Sequence, residues 1–194
     1  MAHAGVTKLA ELEKAARSCT LCAAFLPLPP RPVFRVSATA RLLVIGQAPG
    51  TKAHASEMPF DDASGDRLRA WMGIDRAQFY DSSKIAFLPM GFCYPGRNKN
   101  GGDAPPRPEC APAWHEKFLA ALPGVELILL VGGYAQRRYL GPGSMTEHVQ
   151  AGRAGGRFLA LPHPSWRTIG WEAKNPWFGE TILPRLKAEI ARLT

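Results

Sequence analysis

A histidine held between two prolines is the first residue of this chain equipped for catalysis. In Leu161-Pro162-His163-Pro164-Ser165-Trp166, the imidazole follows a short apolar run that starts at Arg157. The flanking rings restrict the backbone on both sides of it. A donor held in this way is already aimed at a developing negative charge. A second loop, Gly46-Gln47-Ala48-Pro49-Gly50, leaves another apolar run and carries no charge. It has neither the phosphate-loop spacing nor the dinucleotide fingerprint. Its small residues let backbone N–H groups come close to a flat ligand. Next comes Pro59-Phe60-Asp61-Asp62-Ala63-Ser64-Gly65. Phe60 offers a stacking face, and Asp61 and Asp62 offer carboxylates. The other reading of these aspartates is a turn or a helix cap.

The four cysteines are Cys19, Cys22, Cys93 and Cys110. The first two form Cys-Thr-Leu-Cys, which brings two thiolates within reach of one metal. The second pair brackets a loop rich in Gly and Pro. Four thiolates suit Zn(II) or an iron–sulfur cluster. A redox role for the close pair fits less well, because it ends a helix and does not open a βαβ unit. With no apolar signal core at the N-terminus, a disulfide framework is not expected.

Alternating elements position these groups. Leu9, Leu12, Ala15 and Ala16 predict a helix over residues 5–18. Residues 26–32 are too rich in Pro for helix or central strand. Strands are expected at 41–46, 84–92, 125–133 and 157–161, with Pro89 ending or bulging the second. Helices are expected at 64–73, 113–122, 134–140 and 181–193. Ser64 is the expected N-cap of the first of these, and Gly73 lies near its end. Leu183, Leu186, Ile190 and Leu193 should face inward in the last. Residues 96–109 read as a polar loop. The pattern implies an α/β fold: a three-layer α/β/α sandwich around a mainly parallel four-stranded sheet, in one domain over 1–194. In such sheets a ligand lies beyond the carboxyl ends of the strands, where GQAPG, PMGFC, GGYAQ and LPHPSW all fall.

The formal net charge is +8, from 24 basic and 16 acidic residues. This favours an anionic partner, nucleic acid above all. No apolar run is long enough to span a membrane. A cytosolic, nucleoid-associated monomer is the expectation.

Gly46-Gln47-Ala48-Pro49-Gly50, the Pro59–Gly65 segment, His163-Pro164-Ser165 and the four cysteines, in this order, resemble the uracil-DNA glycosylase superfamily. The closest resemblance is to its iron–sulfur branch, usually called family 4, from about residue 17 to the end. The resemblance implies an enzyme that flips uracil out of single- or double-stranded DNA and hydrolyses its N-glycosidic bond. Phe60 would stack on the base, and backbone N–H groups at Gln47 and Ala48 would hold a carbonyl, with Asp61 nearby. His163 would stabilise the departing base. Ser165, Trp166 and Arg167 would contact DNA, the last two as a wedge. The cysteines would hold a 4Fe-4S cluster, with Zn the alternative.

Three departures accompany the resemblance. The family's first motif has Glu where this chain has Gln47, and the neighbouring Ala48 stands where the best-known branch has Asp. Water activation then falls to Asp62, to Asp61, or to the Gln47 amide; Asp62 is preferred as nearer the turn. Pro89 stands where the family commonly has a base-reading Asn, which weakens the expectation of strict uracil specificity. The Trp166-Arg167-Thr168 wedge is bulkier than usual. A non-catalytic protein that recognises uracil or abasic DNA, a glycosylase for another deaminated base, and a four-cysteine protein acting on a small nucleoside remain as alternatives.

Overall fold

Four short apolar segments pair side by side: β1 (Leu42–Ile45), β2 (Ile85–Phe87), β3 (Leu127–Val131) and β4 (Phe158–Leu161). A computed structural model describes residues 2–99, 101–152 and 156–194. The sheet order is β2-β1-β3-β4, and every pair is parallel. Alternation along the strands splits the core in two. Leu42, Val44, Phe87, Leu129 and Val131 pack into one cluster. Leu43, Ile45, Ala86, Ile128 and Leu130 pack into the other. Both faces are apolar because both are covered, as parallel sheets require.

The helices in chain order are α1 (Ala2–Arg17), α2 (Thr51–Ser56), α3 (Ala63–Met72), α4 (Arg76–Phe79), α5 (Cys110–Ala121), α6 (Gly133–Leu140), α7 (Met145–Ala151), α8 (Ile169–Lys174) and α9 (Leu183–Leu193). Helices α3 and α9 cover the first cluster, with Leu68, Met72, Leu186 and Ile190. Helices α1 and α5 cover the second, with Leu9, Ala16 and Phe118. The three-layer α/β/α architecture expected from the sequence is present. No described helix is long and apolar enough to cross a membrane.

Several details differ from expectation. The N-cap of α3 is Asp62, not Ser64; its Oδ1 accepts from the Gly65 amide at 2.9 Å. A carboxylate caps as well as a hydroxyl and adds charge where the helix dipole favours it. Gly73 closes α3 at φ 72°, a left-handed turn that glycine adopts without strain. Helix α5 starts at Cys110, so Pro112 falls in its first turn, where no N–H is needed. Strand β2 is shorter than the apolar run. Beyond it, Leu88 N–H and Met90 N–H still bond to the Val44 and Gly46 carbonyls. Pro89 therefore falls at the alternate position, where its missing donor costs no bond to β1. In α9, Leu183 is only half-buried, and in α1, Ala15 is exposed.

Candidate active site

The loop after β1 is small because Phe60 lies against it. A Cβ on Gly46 would stand 2.8 Å from the tip of the Phe60 ring. Phe60 itself has φ 57°, a left-handed backbone unusual for an aromatic residue. Its carbonyl is so close to the first turn of α3 that a Cβ on Gly65 would meet it at 1.7 Å. The Tyr80 hydroxyl holds the preceding Pro59 carbonyl at 2.9 Å. These contacts explain the spacing of the Phe60–Gly65 segment: its last residue must be glycine so that the helix can close beneath the strained aromatic. The ring is backed by Phe79 and Phe87, with centroids at 6.4 and 6.2 Å, and is half-buried.

His163 lies across the same cleft, beyond the end of β4. Its carbonyl accepts from Ser165 N–H at 2.8 Å and from Thr168 Oγ1 at 3.0 Å. Gly132, at φ 89°, packs against the imidazole, with Cδ2 3.5 Å from where its Cβ would stand. Burial lowers the histidine's pKa, while the Asp62 and Asp103 carboxylates oppose that shift. At neutral pH the ring is therefore an uncharged donor fixed in place.

Gln47, Ala48, Phe60, Asp62, Asp103 and His163 are among the residues lining the cleft. Four sequence-selected residues lie outside this lining. Asp61 pairs with Arg76 at 2.8 Å, which lowers the pKa of its carboxyl. Ser165 accepts from Arg67 Nη1 at 2.8 Å through its carbonyl. Trp166 is 74% exposed on the next residue. The Arg167 guanidinium lies over the Trp166 ring, 5.6 Å from its centroid, and Nη1 lies 2.9 Å from where a Cβ on Gly102 would stand.

Gln47 is more committed than its sequence suggests. Its Nε2 donates to the Ala104 carbonyl at 3.0 Å, so one amide N–H is spent on protein. The partner belongs to a hairpin closed by a bridge between Arg97 and Asp103. Gly101 and Gly102 turn it at φ 81° and 83°. Asp103 is the residue that sequence reasoning missed. The glycine pair before it was the available signal, but the segment read only as a polar loop. Partial burial of the Asp103 carboxyl, reinforced by the Asp62 charge and opposed by Arg97 and His163, raises its pKa.

A separate small cavity is lined by all four cysteines, together with Leu21, Phe92 and Trp114. None of the four is in a disulfide. Burial pushes Cys93 up to about 11 and Cys110 up to about 12, so both are thiols at neutral pH. Among the described residues, no three His, Cys, Asp or Glu side chains are grouped closely enough to hold one metal ion.

A family model described as the uracil DNA glycosylase superfamily matches residues 34–187. The match contains every cleft residue named above and both Cys93 and Cys110; Cys19 and Cys22 precede it.

Proposed function

The chain belongs to the uracil DNA glycosylase superfamily, and from that premise we propose that it is a monofunctional glycosylase that releases uracil from DNA. One observation carries this reading. A strained, flat Phe60 and an uncharged His163 line a single cleft beside a loop with no charge of its own. Such a cleft suits a neutral, planar base that becomes an anion as it leaves. The base enters by flipping out of the stack. Phe60 stacks on it, and the loop at Gln47 and Ala48 brings backbone close to its edge. His163 donates to the oxygen on which charge develops. Asp62, with one oxygen fixed as a helix cap, orients the attacking water.

The DNA strand follows a path beside the cleft. A shallow groove next to Gln47 and His163 is lined by Tyr134 and Arg137. It continues to Arg138 and the Pro105–Pro108 segment. Trp166 and Ile169 stand exposed beside the cleft as apolar groups able to fill a vacated stack. Arginines along this path would grip phosphates and make binding sensitive to salt.

The four cysteines fit a four-thiolate group better than isolated thiols, because they converge on one apolar cavity. We assign Cys19, Cys22, Cys93 and Cys110 to a 4Fe-4S cluster. The alternative, a single Zn ion, would be held by the same four sulfurs at about 2.3 Å. When bound, the group supplies a crosslink between the N-terminal segment and the loop before α5. Visible absorbance with iron and sulfide analysis tests it; one zinc per chain and no visible band would reverse the assignment.

The function itself is tested with an oligonucleotide carrying one deoxyuridine, followed by alkali. Cleavage at that position alone is the expected result. Pro89, in the cleft wall, has no N–H to offer the base edge. Parallel substrates with hypoxanthine and xanthine therefore measure how strictly uracil is read. A DNA-recognition protein without turnover is the second reading, favoured by the spent Gln47 amide. Tight binding without cleavage of any substrate would establish it.

A further inference from the structure

Three aspartates surround the uncharged first loop, and they differ in what they have left to offer. The Asp61 carboxylate is paired with Arg76. One oxygen of Asp62 is spent on the Gly65 amide. The Asp103 carboxylate makes no hydrogen bond or ion pair among the described residues, although its backbone is tied down. The Asp103 carbonyl accepts from Asn98 Nδ2 at 3.1 Å, and the Ala104 carbonyl accepts from Gln47 at 3.0 Å. The hairpin is thus held by its main chain, and the side chain is left free at the cleft. An Asp103 oxygen lies 3.2 Å from where a Cβ on Gly50 would stand, and an Asp62 oxygen lies 3.8 Å from the same point. Both carboxylates converge on Gly50, and their charges act on His163. A side chain at 50 would press on the Asp103 carboxylate, so glycine there gives both carboxylates the most room.

We propose that Asp103 is the base that takes the proton from the attacking water, and that Gln47 is the residue that positions it. This rests on the glycosylase reading. The water oxygen bonds to the anomeric carbon of the flipped nucleotide as the bond from that carbon to the base nitrogen breaks. The electron pair of the broken bond leaves with the base, where His163 stabilises it. The water proton moves to Asp103 and then to the released base or to solvent. Asp62, fixed by its cap, orients the water without receiving the proton. The uncharged Gln47 thereby serves the chemistry indirectly, through a clamp on the loop that brings the charge.

The test is single-turnover excision from the uracil oligonucleotide, with DNA affinity measured on the same samples. Asp103→Asn should slow excision by about a hundredfold or more, as loss of a general base does, with affinity unchanged. In Asp103→Ala, added formate should restore part of the lost rate, which a purely structural aspartate would not allow. Gln47→Leu should slow excision roughly ten- to a hundredfold through misplacement of the carboxylate. In the Asp103→Asn background, Gln47→Leu should cost nothing further, because the group it positions is already gone. Excision by Asp103→Asn within threefold of the wild type overturns the base assignment while leaving the glycosylase reading intact. Full additivity of the two substitutions overturns the positioning role. A wild-type protein that releases no base overturns the glycosylase reading and this proposal together.

Discussion

The two cavities of this molecule meet burial in the same way and use it oppositely. In the cysteine cavity, burial holds Cys93 and Cys110 in the neutral, unreactive form. In the cluster proposed for them, a metal would displace their protons, and its binding energy would be folding energy. In the cleft, burial also favours the neutral form, lowering His163 and raising Asp103. In the proposed reaction the neutral imidazole is the working form, because it would donate to an anion that does not yet exist. The difference lies in company. The thiols reinforce one another's shift, whereas His163 faces two carboxylates that pull its pKa back up. The segment from Pro89 to Cys93 joins the two regions. His115 bonds to the Pro89 carbonyl at 3.0 Å and stacks on Phe92, whose N–H reaches Cys110 Sγ at 3.3 Å.

The largest expected effect lies on the cysteine side. If the thiols hold a structural cluster, Cys110→Ser should abolish the visible absorbance and lower the unfolding midpoint by roughly 6–12 °C, from loss of on the order of 3 kcal/mol. Thermal unfolding at an unchanged midpoint would show that the cavity contributes no such crosslink. The junction comes next. His115 is fully buried, and burial lowers its pKa to about 4 from the ordinary 6.5. Its unfolded form binds the proton more readily, so it favours folding above pH 6.5 and loses that advantage as pH falls toward 4. The protein should lose about 3 kcal/mol across this window, and His115→Gln should flatten the loss in denaturant titrations.

Smaller effects sharpen the cleft side. Gly65→Ala should cost about 1–3 kcal/mol, because the new methyl must push the Phe60 carbonyl aside. It should also weaken base stacking, seen as slower excision at saturating enzyme. Asp62→Ala should cost about 1 kcal/mol through the lost cap of α3, and Asp62→Asn should restore that stability without restoring the charge. Equal stability of all three proteins would remove the capping role.

Much of this arrangement was legible in the sequence, for identifiable reasons. The strands were readable because both faces of a covered parallel sheet are apolar, as in Leu127–Val131. Phe60 and His163 stood out because their neighbours, Gly65 and the flanking prolines, are demanded by close approach or restriction. Asp103 was not legible. Its hairpin is held at the cleft by Gln47 reaching 57 residues along the chain to the Ala104 carbonyl, a pairing that no local pattern records. The short helices α4 and α7 were also missed, although Asp75–Gln78 and Ser144–Glu147 form capping boxes. Their apolar periodicity is too brief to register.

The central claim is that the cleft releases a base as an anion stabilised by His163. The most direct test compares wild type and His163→Ala on the single-deoxyuridine oligonucleotide, with free uracil and DNA affinity measured in the same buffer. The wild type should release uracil, and the variant should lose roughly 10²–10³ in rate at equal affinity. Release by His163→Ala at the wild-type rate would contradict it.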